Sequence, residues 1–211
     1  MSFWRALTEG DWPAARASLH ARLAEPVTPT LGGDFDLNPG MRDRAPRRLK
    51  PAAVLAPILA RPEGPTLLFT QRAAHLSVHA GQIAFPGGKL EPEDPDPVAA
   101  ALRETREEIG LDVTAQQVLG AAGHYETGSG YAVTLVVAWI EGEVDLHPDP
   151  NEVASTFEAP LTFMFDAQNC KTHSFKRDGL SRRYYAIPYH DKYVWGVTAG
   201  LVRALRNRLI D

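Results

Sequence analysis

The chain has 211 residues, a net charge of −4 and a single cysteine, Cys170, with 44% hydrophobic and 23% charged residues. That length suits one good-sized domain, or one domain with an appendage, and the composition is ordinary for a globular protein. Mild negative charge excludes nucleic-acid binding by bulk electrostatics, one cysteine excludes an intramolecular disulfide, and no apolar run is long enough to span a membrane.

No N-terminal segment reads as a signal peptide, so the expected location is cytoplasmic, with neither nucleic acid nor membrane as partner. Residues 2–24 read as helical, with an apolar stripe of Phe3, Trp4, Leu7, Leu19 and Leu23 and a break near Pro13. The stripe would pack on the main domain or on a second subunit, so a homodimer is one expected assembly. Residues 25–51 are punctuated by proline and glycine and read as a linker that ends in a basic cluster, Arg42, Arg44, Arg47, Arg48 and Lys50. The division expected is 1–50 as N-terminal helix and linker, and 51–211 as the main domain.

Ala52–Ala60 and Thr66–Arg72 read as a hairpin, with Pro57 at an edge or bulge. His75 and His79 have metal-ligand spacing only if that stretch is helical, and ordinary hydrogen-bonding histidines are the expectation. Next comes Phe85-Pro86-Gly87-Gly88 and a helix. Asp96 suits its N-cap, Pro97 its first position, and Gly110 a left-handed C-cap. Val98, Leu102, Thr105 and Ile109 share one face of it; Glu104, Glu107 and Glu108 share another. Like charges at helix-neighbour spacing, two of them in the last turn, do not stabilise a helix. Such a face is either a solvated acidic patch or a set of hard oxygen ligands for Mg²⁺ or Mn²⁺.

Val113–Gly123 contains a strand, His124–Gly130 a loop, and Tyr131–Ile140 the clearest strand of the chain. Residues 141–151 form an acidic loop. A short helix is expected at Leu161–Asp166, and a second hairpin joins Cys170–Phe175 to Arg182–Tyr189 around Asp178-Gly179. The last helix is expected to start at Tyr193 and run to about Leu209. Periodicity alone supports an α/β or α+β fold.

Gly88 with Arg103-Glu104-Thr105-Arg106-Glu107-Glu108-Ile109-Gly110-Leu111 resembles the Nudix box. Thr105 holds an aliphatic position, the spacing from Gly88 to Arg103 is one residue longer than in the general box, and the box's earlier glutamate falls on Pro95, beside Asp94. A second run, Leu68-Phe69-Thr70-Gln71-Arg72-Ala73 with Gly81 and Phe85-Pro86-Gly87-Gly88, resembles the signature of the coenzyme A diphosphatase branch. Ser77 stands there in place of an arginine. The resemblance spans about Pro51 to Leu209.

It implies a mixed sheet between helices, and metal-dependent hydrolysis of coenzyme A to 3′,5′-ADP and 4′-phosphopantetheine. It implies Glu104, Glu107 and Glu108 as ligands for Mg²⁺ or Mn²⁺. Arg103 would orient a carboxylate. Glu107 or Glu152 would act as base, with Glu143 and Glu158 behind Glu152. Arg72, Gly81, Gly87 and Gly88 would meet the substrate. The other readings are hydrolysis of ADP-ribose, NADH or a nucleoside triphosphate, and a Nudix-like nucleotide-binding domain without turnover.

Overall fold

A computed structural model describes residues 2–25, 30–44, 46, 48–177 and 179–210, with the backbone alone for Arg44 and Arg177. Two helices open the chain, α1 (Phe3–Glu9) and α2 (Trp12–Ala24). The break expected near Pro13 falls instead at Gly10, whose left-handed φ of 78° ends α1. Pro13 stands in the first turn of α2, where a missing N–H costs nothing, and Asp11 caps that helix by accepting from the Ala14 N–H at 3.0 Å. Phe3, Leu7, Leu19 and Leu23 are buried in the same core as Leu119 and Trp139, so the stripe packs within its own chain.

The stretch that reads as a linker carries β1 (Thr30–Gly33), α3 (Asp34–Leu37) and a 3₁₀ turn over Pro39–Arg44. β1 lies parallel to a later strand, with Gly32 opposite Tyr125 and Gly33 opposite Glu126. A Cβ on Gly33 would stand 2.4 Å from the Glu126 carbonyl oxygen. The glycines that suggest a loop are what this close approach requires.

The main sheet takes β2 (Lys50–Leu59), β3 (Thr66–Arg72), β4 (Ile83–Ala84) and β5 (Gly87–Lys89). After α4 (Pro97–Ile109) it adds β6 (Val118–Glu126), β7 (Tyr131–Ile140) and β8 (Val153–Pro160). The order is β1-β6-β7-β2-β3-β4, with β5 on β2 and β8 on β3. The sheet is mixed: β2 runs parallel to β7, and the hairpin of β2 and β3 is antiparallel. Alternate residues of β7 face two cores. Leu135, Val137 and Trp139 meet the one shared with α1 and α2; Val136, Ala138 and Ile140 meet the one under α4. Among the described residues no helix is long and apolar enough to cross a membrane.

Pro57 is buried in an interior strand and not at an edge. Leu55 donates to the Pro86 carbonyl, away from β7, and residue 57 faces the same way. On that side β2 pairs with β5 up to Val54 and with β3 from Ile58, so the proline's missing donor falls in the gap between the two ladders.

The strand expected within Val113–Gly123 is β6, and it runs on through His124, Tyr125 and Glu126, which leaves a loop of 127–130. Beyond β8 come α5 (Leu161–Met164), β9 (Lys171–Arg177), β10 (Leu180–Tyr189), β11 (Lys192–Trp195) and α6 (Val197–Ile210). β9 and β10 form the expected hairpin, though Asp178 of its turn lies outside the described residues. Tyr193–Trp195 do not begin the last helix. They pair with β10, Val194 opposite Ile187, and α6 starts after Gly196, whose φ is 62°.

Candidate active site

The α4 helix forms as its sequence dictates. Asp96 accepts from the Ala99 N–H at 2.9 Å, and Gly110 ends the helix with a φ of 68° and a bond to the Arg106 carbonyl. Ala100, Ala101, Thr105 and Ile109 are buried, with Val98 and Leu102 at the margin. Thr105 is tolerated at an aliphatic position because its buried hydroxyl donates to the Ala101 carbonyl at 2.6 Å.

The three box carboxylates do not share one environment. The side chain of Glu108 is 5% exposed, that of Glu104 18% and that of Glu107 59%. Glu108 is held by the Gly87 N–H at 3.1 Å and by the Arg72 guanidinium at 3.7 Å. Burial pushes its carboxyl up to about 7, against the pull of Gly87 and Arg72, and Glu152 and Glu104 push it the same way. Burial also raises Glu104; Arg103 opposes this, while Glu107 and Glu152 add to it.

Arg103 is the hub. It donates to both carboxylate oxygens of Asp94 at 3.0 Å, to Glu107 at 2.8 Å and to Glu104 at 3.2 Å. One residue therefore ties the loop before α4 to two of the acids and fixes their direction. Asp94, in sequence only the acid nearest a vacant glutamate position, is the anchor for that hub, and its bonds to Arg103 hold its carboxyl below the usual range. Glu152 precedes β8, where its carbonyl accepts from the Ala73 N–H at 2.8 Å. Its charge acts on both Glu104 and Glu108. Glu158 is elsewhere, bonded to Arg61 and Thr66, and Glu143 acts on Arg61.

The glycines divide into three roles. Gly88 lies under Glu104: a Cβ there would stand 2.5 Å from the carboxylate carbon. Gly87 has a φ of 144° and abuts β2, where a Cβ would meet the Ala53 carbonyl oxygen at 2.4 Å. Gly81 turns the chain with a φ of 69° and bonds back to the Arg72 carbonyl at 3.1 Å. The 73–81 segment is a series of turns, not a helix. His75 bonds the Asn151 carbonyl and His79 the Gln82 side chain, as ordinary histidines do. Arg42 of the basic cluster is bonded to Glu126 and stacks on Phe35. Ala45 and Arg47 lie outside the described residues.

Among the described residues no group of three His, Cys, Asp or Glu side chains stands arranged to hold a metal ion. The donor set nevertheless fits a hard cation. The charge of Glu152 opposes ionisation of both Glu104 and Glu108, Glu104 adds to the effect on Glu108, and the pull of Arg103 and Arg72 leaves both carboxyls raised. A divalent ion relieves that kind of repulsion, and carboxylate oxygens are its preferred ligands.

Beside these acids opens a cleft of about 590 Å³, with Arg72 and Gly87 in its wall. Much of the rest of the wall, from the two ends of the chain, was not legible in the sequence. Asp34 and Asn38 come from the N-terminal segment; Arg182, Tyr184 and Trp195 come from the small sheet. Asp34 accepts from the Tyr125 hydroxyl at 3.1 Å and the Gly128 N–H at 2.8 Å, and burial raises its carboxyl. The loop after β6, Thr127-Gly128-Ser129, lines the same cleft. A second cavity, about 510 Å³ around Trp12, Arg16 and Trp139, holds none of the motif residues.

Residues 49–172 match the family model described as NUDIX domain. The chain is 40% identical over 158 residues to an uncharacterized Nudix hydrolase NudL of Yersinia pestis (strain Pestoides F), covering 75% of this chain and 79% of that protein. The same figures hold for a NudL of Yersinia pseudotuberculosis serotype O:1b. Among solved structures, a MutT/nudix family protein from Enterococcus faecalis superposes with a TM-score of 0.54 at 13% identity, over 92% of this chain and 74% of that one. At that identity the likeness concerns the fold.

Proposed function

This chain belongs to the Nudix family and is a Nudix hydrolase, and from that premise we propose that it cleaves the diphosphate of coenzyme A or its derivatives to 3′,5′-ADP and 4′-phosphopantetheine. Nudix hydrolases generally use divalent metal ions and act on small nucleotide derivatives. Here Glu104, Glu107 and Glu108 would hold Mg²⁺ or Mn²⁺. Such an ion, when bound, neutralises phosphate charge and makes its bound water more acidic.

The chain's own residues do the rest. Arg103, anchored on Asp94, keeps Glu104 and Glu107 in place. Glu152, whose charge acts on Glu104 and Glu108, takes the proton of the attacking water. Gly87 and Gly88 let backbone and phosphate come close.

The observation that carries coenzyme A is the junction of the two sequence signatures. Arg72, from the substrate-side run, lines the cleft and stands 3.7 Å from Glu108 of the box. The second reading, ADP-ribose or NADH, is favoured by Ser77, which is exposed and offers no cation where the branch signature has one.

A hydrolysis panel decides between them: coenzyme A, acyl-coenzyme A, ADP-ribose, NADH and dGTP, each with Mg²⁺ and Mn²⁺, with products separated by chromatography. Release of 3′,5′-ADP with coenzyme A leading in kcat/KM is the expected result. A higher kcat/KM for ADP-ribose or NADH overturns the substrate. Glu108→Gln should lower kcat at least about 100-fold, and unchanged activity would remove it from the site.

A further inference from the structure

The cleft continues past the acids to a wall that the reaction does not use. One face of the small sheet gathers aromatic rings. Tyr184 packs against Phe175 at 5.8 Å and Trp195 at 5.3 Å between ring centroids, and Phe175 is 39% exposed. All three rings line the cleft. Large aromatic surface left in a cleft wall suits a flat heterocycle.

Arg182 sits among these rings. It lies directly opposite Phe175 across the hairpin and two residues before Tyr184 on the same face of β10. Among the described residues it has no ion-pair partner, and its Nε–H, hidden from solvent, has no hydrogen-bond partner. Of the other cationic side chains that line the cleft, Arg72 is engaged with Glu108, and Arg183, the next residue on β10, has its backbone N–H and carbonyl bonded to Asn38. A guanidinium with no acid partner among the described residues, on the sheet face that carries these rings, is suited to an anion carried on an aromatic ligand.

We propose that Arg182, with Phe175, Tyr184 and Trp195, is a specificity site for the base and the additional ribose phosphate of a 3′-phosphorylated adenine nucleotide. This rests on the coenzyme A reading and deepens it. The diphosphate lies by Arg72, and the second phosphate, which ADP-ribose and NADH lack, lies by Arg182. Phe175, Arg182, Tyr184 and Trp195 all lie beyond the 49–172 match, so this part of substrate choice is carried outside the segment that carries the chemistry.

The test compares coenzyme A with dephospho-coenzyme A, which differs only by that phosphate. The wild-type protein should prefer coenzyme A by at least about tenfold in kcat/KM, with the difference in KM. In Arg182→Ala and Arg182→Gln the preference should fall below about threefold. Adenosine 3′,5′-bisphosphate should compete better than AMP with the wild type, a measurement that needs no variant. Equal cleavage of both substrates by the wild type, or a preference that survives both substitutions, overturns the inference and leaves the coenzyme A reading standing. Cleavage of neither, with turnover of ADP-ribose, overturns the reading and the inference together.

Discussion

Gly87 and Gly88 are neighbours that resist substitution for opposite reasons. A Cβ at position 88 meets the flexible end of Glu104, which can swing away. Gly88→Ala should therefore fold with a Tm within about 3 °C of wild type, yet lower kcat/KM at least about tenfold, because the carboxylate it displaces is one Arg103 holds in place. A Cβ at position 87 meets the backbone of Ala53 and Val54, which cannot move without breaking the β2–β5 pairing, and φ there is 144°. Gly87→Ala should cost about 2–4 kcal/mol in chemical unfolding. Equal stability of the two variants would contradict the packing described. The sequence placed Glu104, Glu107 and Glu108 on one face, but not in their different surroundings. Helical spacing sets direction around an axis; burial is set by what crosses that face, here Gly87 and Arg72, which come from elements 21 and 36 residues away from Glu108 in the chain.

At the scale of elements, α4, β2, β3 and β7 were legible because each carries its own local reasons: caps for the helix, continuous β-branched and apolar runs for the strands. β1, the end of β6 and β11 were not, because each is a strand only by virtue of a partner. Gly32 and Gly33 pair with Tyr125 and Glu126, and Val194 pairs with Ile187. A contact between β3 and β8 shows the same non-local logic in an ion pair. Glu158 opposes Leu68 in the ladder and bonds Arg61 at 2.7 Å and the Thr66 hydroxyl. Burial pushes the Glu158 carboxyl up, but those bonds outweigh it and hold it below 4.5. A lowered carboxyl stabilises the fold above the unfolded value, and that stabilisation is lost as pH falls from 4.5 through the folded value. Acid unfolding of the wild type should therefore include this contribution, and Arg61→Ala should lose stability at pH 7 while its pH dependence below 4.5 becomes shallower. Parallel stability curves for the two proteins, measured by urea unfolding between pH 3 and 7, would count against the pairing.

Across the whole molecule, the acids proposed for catalysis and the cleft beside them have different origins. The acids sit on α4 and beside β8, inside the matched segment 49–172; the outer wall is assembled from chain on either side of it. Asn38 joins those two flanks. Its side chain donates to the Arg183 carbonyl and accepts from the Arg183 N–H, each at 2.8 Å, and also donates to the Asp34 carbonyl at 2.9 Å. It thus completes the free backbone edge of β10 as a paired strand would, and holds α3 against the strand that carries Arg182 and Tyr184. Removing it leaves two backbone groups to water and should cost about 1–2 kcal/mol, too little to unfold the chain. What it should change is the wall's position. Asn38→Ala should raise KM for coenzyme A about fivefold while kcat stays within about twofold, since none of the acids proposed for catalysis touches Asn38. Steady-state kinetics separates this from a general loss of structure, which would lower the active fraction and so kcat at constant KM. If KM is unchanged, the flanks close the cleft without shaping it, and substrate choice must then reside in the 73–88 segment with Arg72.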